Sequence, residues 1–429
     1  MKLFIKNIGK IHETLVEING ITVIAGANNT GKSTVGRTLF AIFNSFYDIE
    51  EQIRAERINS ISNLISLFYR NSIYSSMLRR VESKLAEDIV DDIETYINDT
   101  EAIKEKITEF IPEIQRNNEH HKISVDEDSI NQVIQKIVDI VSVSEEEIIK
   151  AFLEKKLMVE FNGQINNLFI KEVGEIILQI QDRKIAVTIQ DNRILSLDME
   201  INLKTEAVYL DDPFVLDEFS GRISWNNPNY LDHRSHLKKK LFNSVYNSKE
   251  GNILEEILAT NRFKSIYSKI ATVCNGGVVV NEKRIGLSYS SGNADTDIDV
   301  RNLSTGLKTF VILKLLLQKG VIRNNGTIIL DEPEIHLHPE WQVLFAELIV
   351  LIHKEFGMHI LLNTHSPYFL EAIEVFASKY EVDDKCKYYL AATKDESSYL
   401  EDVTSNVEKI YEKLARPFQD LENERYRNG

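Results

Sequence analysis

Eight residues near the start of the chain, GANNTGKS from Gly26 to Ser33, carry the spacing GxxxxGK[ST] between an apolar run and an apolar helical stretch. A loop of this kind cradles phosphate. Gly26 and Gly31 let the backbone turn its N–H groups towards phosphate oxygens, with Ala27, Asn28, Asn29 and Thr30 making up the rest of the cradle. The helix that opens at Lys32, Ser33 and Thr34 adds favourable partial charge at its N-terminus. Lys32 is expected to reach the β- and γ-phosphates and the Ser33 hydroxyl to coordinate Mg²⁺, so ATP and Mg²⁺ are the expected cofactors.

A second set of chemistry-bearing residues lies three hundred positions on, in GTIILDEPEIHLHPEW. Ile328, Ile329 and Leu330 read as a buried strand that ends in two adjacent acids, and strand ends of αβ sheets project such groups into the ligand crevice. Asp331 is expected to hold Mg²⁺, and Glu332 to orient or deprotonate the attacking water. One αβ step further, HILLNTHSP is another apolar strand, and its end delivers His365, whose imidazole could hydrogen-bond a γ-phosphate and sense its departure.

These residues need a sheet to hold them. The segment ITVIA, Ile21 to Ala25, is apolar throughout, as in a strand buried on both faces, and it runs directly into the glycine loop and a helix. Leu3, Ile5 and Ile8 form one strand-like series before it, and Leu15, Val16 and Ile18 another. From about residue 47 the period becomes helical, with Leu78, Val81, Leu85, Ile89, Ile93 and Ile97 at three- and four-residue steps and Ile103, Ile107, Ile111 and Ile114 beyond. Read as one helix, residues 78 to 114 span only about 55 Å, so a helical lobe or short hairpin fits better than a long arm. Ser124 and Glu127 have capping-box spacing. The period turns strand-like between about 168 and 210, where QDR and QDN suggest hairpin turns, and helical again from about 217 to 273. The sheet is expected to resume with GGVVVNEKRIGLSYSS, αβ alternation then running to about 392 before a terminal helix. The expected division is 1–46, first part of the head; 47–165, helical insertion; 166–212, β-rich segment of the head; 213–275, helical lobe; and 276–429, remainder of the head.

The chain has 429 residues, 43% hydrophobic and 27% charged, with 18 Gly and 7 Pro, which excludes collagen-like and mostly disordered classes. Its net charge of −16 argues against sequence-blind coating of nucleic acid by the whole surface, so such a contact needs a local patch. Arg234 with Lys238, Lys239 and Lys240 forms one basic cluster, and Arg54, Arg57, Arg79 and Arg80 another; Trp225 and Tyr230 precede the lysine run and could stack on bases. Pairing with nearby acids is the commoner use of such charges. Cys274 and Cys386 make no disulfide framework and suit a reducing cytosol, and no leader or bilayer-length apolar stretch is visible, so a cytoplasmic protein without membrane segments is expected.

The order GANNTGKS, NLSTGLKTF, ILDEPEIHLHP and NTHSP resembles the ABC-type ATPases of the OLD and AAA-15 kind, in the wider class of SMC- and RecF-like proteins. The resemblance implies an α/β P-loop head with a mixed sheet, interrupted by a large helical and β insertion. It implies further that Leu303, Ser304, Thr305 and Gly306 match the signature whose serine and glycine amide cap the γ-phosphate on an opposite subunit, so that a homodimer or higher homo-oligomer forms around ATP. Asp211 and Asp212, in AVYLDDPFVLDEF, stand where that family places a glutamine. Only 64 residues follow His365, too few for the nuclease domain many OLD proteins add. By resemblance, such ATPases often serve bacterial antiphage systems of the PtuA-like and PARIS type beside a separately encoded nuclease effector. Two other readings stay open at this point: a nucleotide-gated scaffold with little turnover, and a DNA repair or chromosome-handling ATPase.

Overall fold

The computed structural model describes residues 1–67, 76–93, 96, 99–116, 127–218, 232–246, 263–281, 286–290 and 297–427. The chain divides into two compact units, one of residues 1–47 with 153–429 and one of residues 48–152.

In the larger unit, eleven strands among the described residues join one mixed sheet in the order β6-β5-β4-β1-β2-β14-β13-β3-β12-β11-β7. The strands are β1 (Lys2–Ile8), β2 (Ile11–Glu17), β3 (Ile21–Gly26), β4 (Gly174–Ile180), β5 (Arg183–Gln190), β6 (Arg193–Met199), β7 (Ala207–Leu210), β11 (Thr327–Asp331), β12 (His359–Thr364), β13 (Cys386–Lys394) and β14 (Ser397–Asp402). One wing, β6 to β2, is antiparallel; β13, β3, β12, β11 and β7 run parallel. The parallel strands are the unbroken apolar runs of the sequence, because both of their faces are covered. On one face helix α1 (Lys32–Phe46) comes so close that a Cβ on Gly36 would lie 2.8 Å from the Tyr209 ring and 3.0 Å from Ile329. On the other, Val23, Ile328, Leu330, Ile360 and Leu362 share a buried core with Phe310, Phe345 and Phe369. Those rings come from the helices Thr305–Gln318, Pro339–Phe356 and Pro367–Lys379.

Register decides where the chemistry ends up. Ala25 pairs with Thr364 and Asn363 with Asp331, so the C-terminal ends of β3, β12 and β11 finish level with one another. The QDR and QDN turns join β4 to β5 and β5 to β6, and Gln181, Asp191 and Asn192 take positive φ there, as tight hairpin turns require. Strand β4 pairs with β1, so the segment after the helical insertion rejoins the main sheet and does not interrupt it. The expectation for GGVVVNEKRIGLSYSS fares differently. Strands β8 (Gly277–Asn281), β9 (Gly286–Ser290) and β10 (Ile298–Asp299) form a separate three-stranded antiparallel sheet, their apolar pattern satisfied by one another and by the helical layer.

In the smaller unit, helices α2 (Ile49–Leu67), α3 (Ser76–Asp91), α4 (Thr100–Arg116) and α5 (Glu127–Ser142) pack around Ile61, Leu85, Ile89, Ile103, Ile137 and Val141. Among the described residues the 78–114 stretch holds α3 and α4, Ile97 lying outside the description; Asp99 accepts a hydrogen bond from the Ala102 N–H and starts α4. A capping box opens helix α6 (Glu145–Glu160), where Ser144 and Glu147 exchange side-chain and backbone hydrogen bonds. The Ser124–Glu127 spacing falls on residues whose side chains lie outside the description.

Leu362 is fully buried on the strand that separates β3 from β11. Leu362→Ala is expected to lower stability by about 2–5 kcal/mol through lost burial and a residual cavity, read from the urea midpoint. A loss below about 1 kcal/mol would mean that this core collapses around the gap.

Candidate active site

The glycine loop begins where β3 ends. Gly31 takes φ 80°, a left-handed conformation that glycine adopts without strain, and a Cβ there would press on Ile11 at 3.1 Å and Ser398 at 3.3 Å. Thr30 closes the loop by donating its hydroxyl proton to the Ala27 carbonyl at 2.8 Å. Lys32 is only 4% exposed. Its Nζ donates to the Gly26 and Ala27 carbonyls at 3.0 and 2.9 Å and stands 3.3 Å from Glu332 Oε1. A buried ammonium needs such partners, because an unpaired one would lose its hydration without return.

The acids arrive from the neighbouring strand ends. Asp331 is held from two sides, Oδ2 accepting the Tyr209 hydroxyl at 2.7 Å and Oδ1 the Asn363 amide at 2.9 Å. Glu332 takes φ 51°, unusual for a residue with a side chain, and its N–H donates to the Asn363 carbonyl at 2.9 Å. The next strand end places His365 Nδ1 3.4 Å from Glu332 Oε1. Lys32 and His365 thus converge on the Glu332 carboxylate.

Sequence reasoning did not single out Glu334. It is 2% exposed, accepts the Thr364 hydroxyl and the His365 N–H, and ties the loop after β11 to the end of β12. Burial raises its pKa against those hydrogen bonds. The one signal in the sequence is a third acid directly after Pro333, and nothing in its spacing distinguishes it from a solvated loop residue.

A cleft of about 390 Å³ is lined by Asn28 to Thr34, Asp331, Glu332, Lys10, Asp211 and Ile335; Gly26, Ala27 and His365 are not among its lining residues. Ser33 and Asp331 share it. Each carboxylate oxygen of Asp331 accepts one hydrogen bond and keeps a further lone pair, and a hydroxyl beside carboxylates is the hard oxygen donor set that Mg²⁺ takes together with phosphate and water. The residues present therefore fit a nucleotide-borne Mg²⁺.

Residues 1–370 match the AAA-15 family, described as an AAA ATPase domain. The chain belongs to that family. Among solved structures, this ATPase domain resembles an SMC head bound to the C-terminal winged-helix domain of ScpA, at 11% identity over 94% of this chain and 97% of that one, with a TM-score of 0.45. It also resembles the SMC head domain from Thermotoga maritima, at 12% identity over 94% and 98% with a TM-score of 0.36. A third is an SMC head with an extended coiled coil bound to the C-terminal domain of ScpA derived from Pyrococcus furiosus, at 11% identity over 96% and 98% with a TM-score of 0.34.

Elsewhere on the ATPase domain, Ser304 and Gly306 do not line the phosphate-loop cleft. With Thr305 they line a second one of about 400 Å³, beside His336, His338 and Trp341. Ser304 takes the N-cap position of its helix, but its hydroxyl makes no cap hydrogen bond. Gly306 lies under the next loop, where a Cβ would come within 3.0 Å of the His336 carbonyl and 3.1 Å of Trp341. Three of the four members of the first basic cluster are paired: Arg234 with Asp211 and Asp212, Lys238 with Glu218, and Lys240 with Glu206. Arg54 bonds Asp91. Trp225 and Tyr230, and the side chains of Arg79 and Arg80, lie outside the described residues. Among the described residues no helix is long and apolar enough to cross a membrane.

Of the two acids where a glutamine was expected, Asp211 lines the phosphate-loop cleft, while Asp212 turns to Arg234 and the Phe214 N–H. Behind Asp211 stands His233, with Nε2 3.3 Å from Asp211 and Nδ1 2.7 Å from Glu160. Burial alone would push this imidazole down, but the Asp211 and Glu160 carboxylates together lift it to about 9. With the folded pKa above the unfolded value of about 6.5, the stabilisation is complete below pH 6.5 and is lost as pH rises through about 9. Lys156 trends the other way, burial holding its ammonium down to about 8, so that stability from this group grows with pH above that value. Comparing wild type with His233→Asn cancels the lysine. The stability gap between the two is expected to narrow between about pH 6.5 and 9.5, followed by thermal unfolding. A gap independent of pH would show that the imidazole is not charged in the folded protein.

Proposed function

We propose that this chain binds ATP with Mg²⁺ at the phosphate-loop cleft and hydrolyses it. The observation that carries the reading is the convergence of Lys32, Glu332 and His365 beside Asp331, on loops that end three adjacent parallel strands. In this reading the loop amides of Gly26 to Thr34 cradle the phosphates and Lys32 exchanges part of its carbonyl and carboxylate contacts for phosphate oxygens. Ser33 and Asp331 hold the metal, which supplies charge neutralisation across the phosphates. Glu332 accepts the proton of the attacking water, its orientation set by the Asn363 carbonyl behind its N–H and by His365 beside its carboxylate. His365 senses the γ-phosphate.

Two heads close on each other around nucleotide. Support comes from the separation of the Ser304–Gly306 cleft from the phosphate-loop cleft, with Ser304 exposed and so accessible to the nucleotide of a second copy. Opening and closing then gates a separately encoded effector, a nuclease in an antiphage system, a role supported by the motif order alone. Nucleic acid is not the favoured partner, because Arg234, Lys238 and Lys240 of the first basic cluster are each paired with acids of this chain.

Lys32→Ala is expected to abolish binding of a fluorescent ATP analogue. Glu332→Gln should retain binding while phosphate release falls by about 100-fold or more, and should accumulate as an ATP-dependent dimer in sedimentation. Normal phosphate release by Glu332→Gln would remove that residue from the chemistry.

A further inference from the structure

One set of buried polar groups converges on Asp331 and has no part in the reaction as described above. Tyr209 lies on β7, the edge neighbour of β11, and is 1% exposed. Its hydroxyl donates to Asp331 Oδ2 at 2.7 Å, opposite the Asn363 amide on Oδ1, so the carboxylate is gripped by donors from both flanking strands. The ring that carries the hydroxyl is fixed in turn. The His233 ring lies 4.4 Å away, centroid to centroid, and Phe40 meets Tyr209 edge-on at 6.2 Å. Glu160 holds His233 twice, through its backbone N–H and through Nδ1, each at 2.7 Å. Gly36 leaves room on the helix side, where a Cβ would lie 2.8 Å from Tyr209 Cε2 and 3.2 Å from its oxygen.

A phenylalanine would fill this part of the core as well as a tyrosine; what only the hydroxyl adds is control of one carboxylate. Groups that hydrogen-bond a metal ligand from behind orient it and tune its affinity. We propose that Tyr209 is a positioning residue for the nucleotide-borne Mg²⁺, setting the orientation of the Asp331 carboxylate, with Gly36 and the Glu160–His233 pair holding its ring in place. The proposal rests on the nucleotide reading above.

The test titrates Mg²⁺ against the protein and a fluorescent ATP analogue, beside the same binding measured in EDTA. For Tyr209→Phe, the Mg²⁺ concentration at half-maximal effect is expected to rise by about tenfold or more, while affinity in EDTA stays within about twofold. Gly36→Ala keeps the hydroxyl but displaces the ring, and is expected to shift the Mg²⁺ midpoint in the same direction, although alanine is the better helix former. An unchanged midpoint in Tyr209→Phe would overturn the proposal. So would equal losses with and without Mg²⁺, which would make Tyr209 a packing residue only. A wild type that binds no nucleotide, or binds it without regard to Mg²⁺, would fail at the earlier reading and take this one with it.

Discussion

The structure turns on the register of three parallel strands. Because β3, β12 and β11 end level, the loops that leave them must share one edge of the sheet, and each loop carries a different part of the chemistry. Two strand spacings, about 10 Å, separate β3 from β11, so groups on their loops meet only where long side chains reach towards each other from both sides. Lys32 meets Glu332 in this way, at 3.3 Å. Its burial makes that pairing obligatory rather than decorative: the ammonium is held in place by two carbonyls and a carboxylate, all of which phosphate oxygens can replace.

The second constraint is that the acids are aimed before any ligand arrives. Asn363 serves both, its amide on Asp331 and its carbonyl on the Glu332 N–H, so the middle strand sets the two carboxylates relative to each other. Glu334 locks the same strand end from below through Thr364. Glu332 is thereby held at a positive φ that it would not adopt in a free loop, and strain of this kind persists only where the surroundings over-determine it.

Much of this was legible from residues adjacent in sequence. A strand buried on both faces shows as an unbroken apolar run, so GANNTGKS, ILDEP and NTHSP mark the strand ends whose loops meet at one edge of the sheet. What was not legible depends on contacts between distant segments. Tyr209 reaches Asp331 across 122 positions and Glu160 reaches His233 across 73, and neither pair has a local pattern. GGVVVNEKRIGLSYSS has the alternation of a strand, but alternation does not say which sheet a strand joins, and β8 and β9 found each other instead of the main sheet. A lobe or hairpin was expected for the helical run from 78 to 114, but not where it breaks, because apolar spacing continues along it and the Asp99 cap that starts α4 is a single residue.

The most direct test of the account is a crystal structure of the protein with Mg²⁺ and a non-hydrolysable ATP analogue. The γ-phosphate is expected within roughly 3 Å of Lys32 Nζ, with the metal between that phosphate, Ser33 and Asp331. A triphosphate seated elsewhere, with Lys32 still turned to the Gly26 and Ala27 carbonyls, would contradict it.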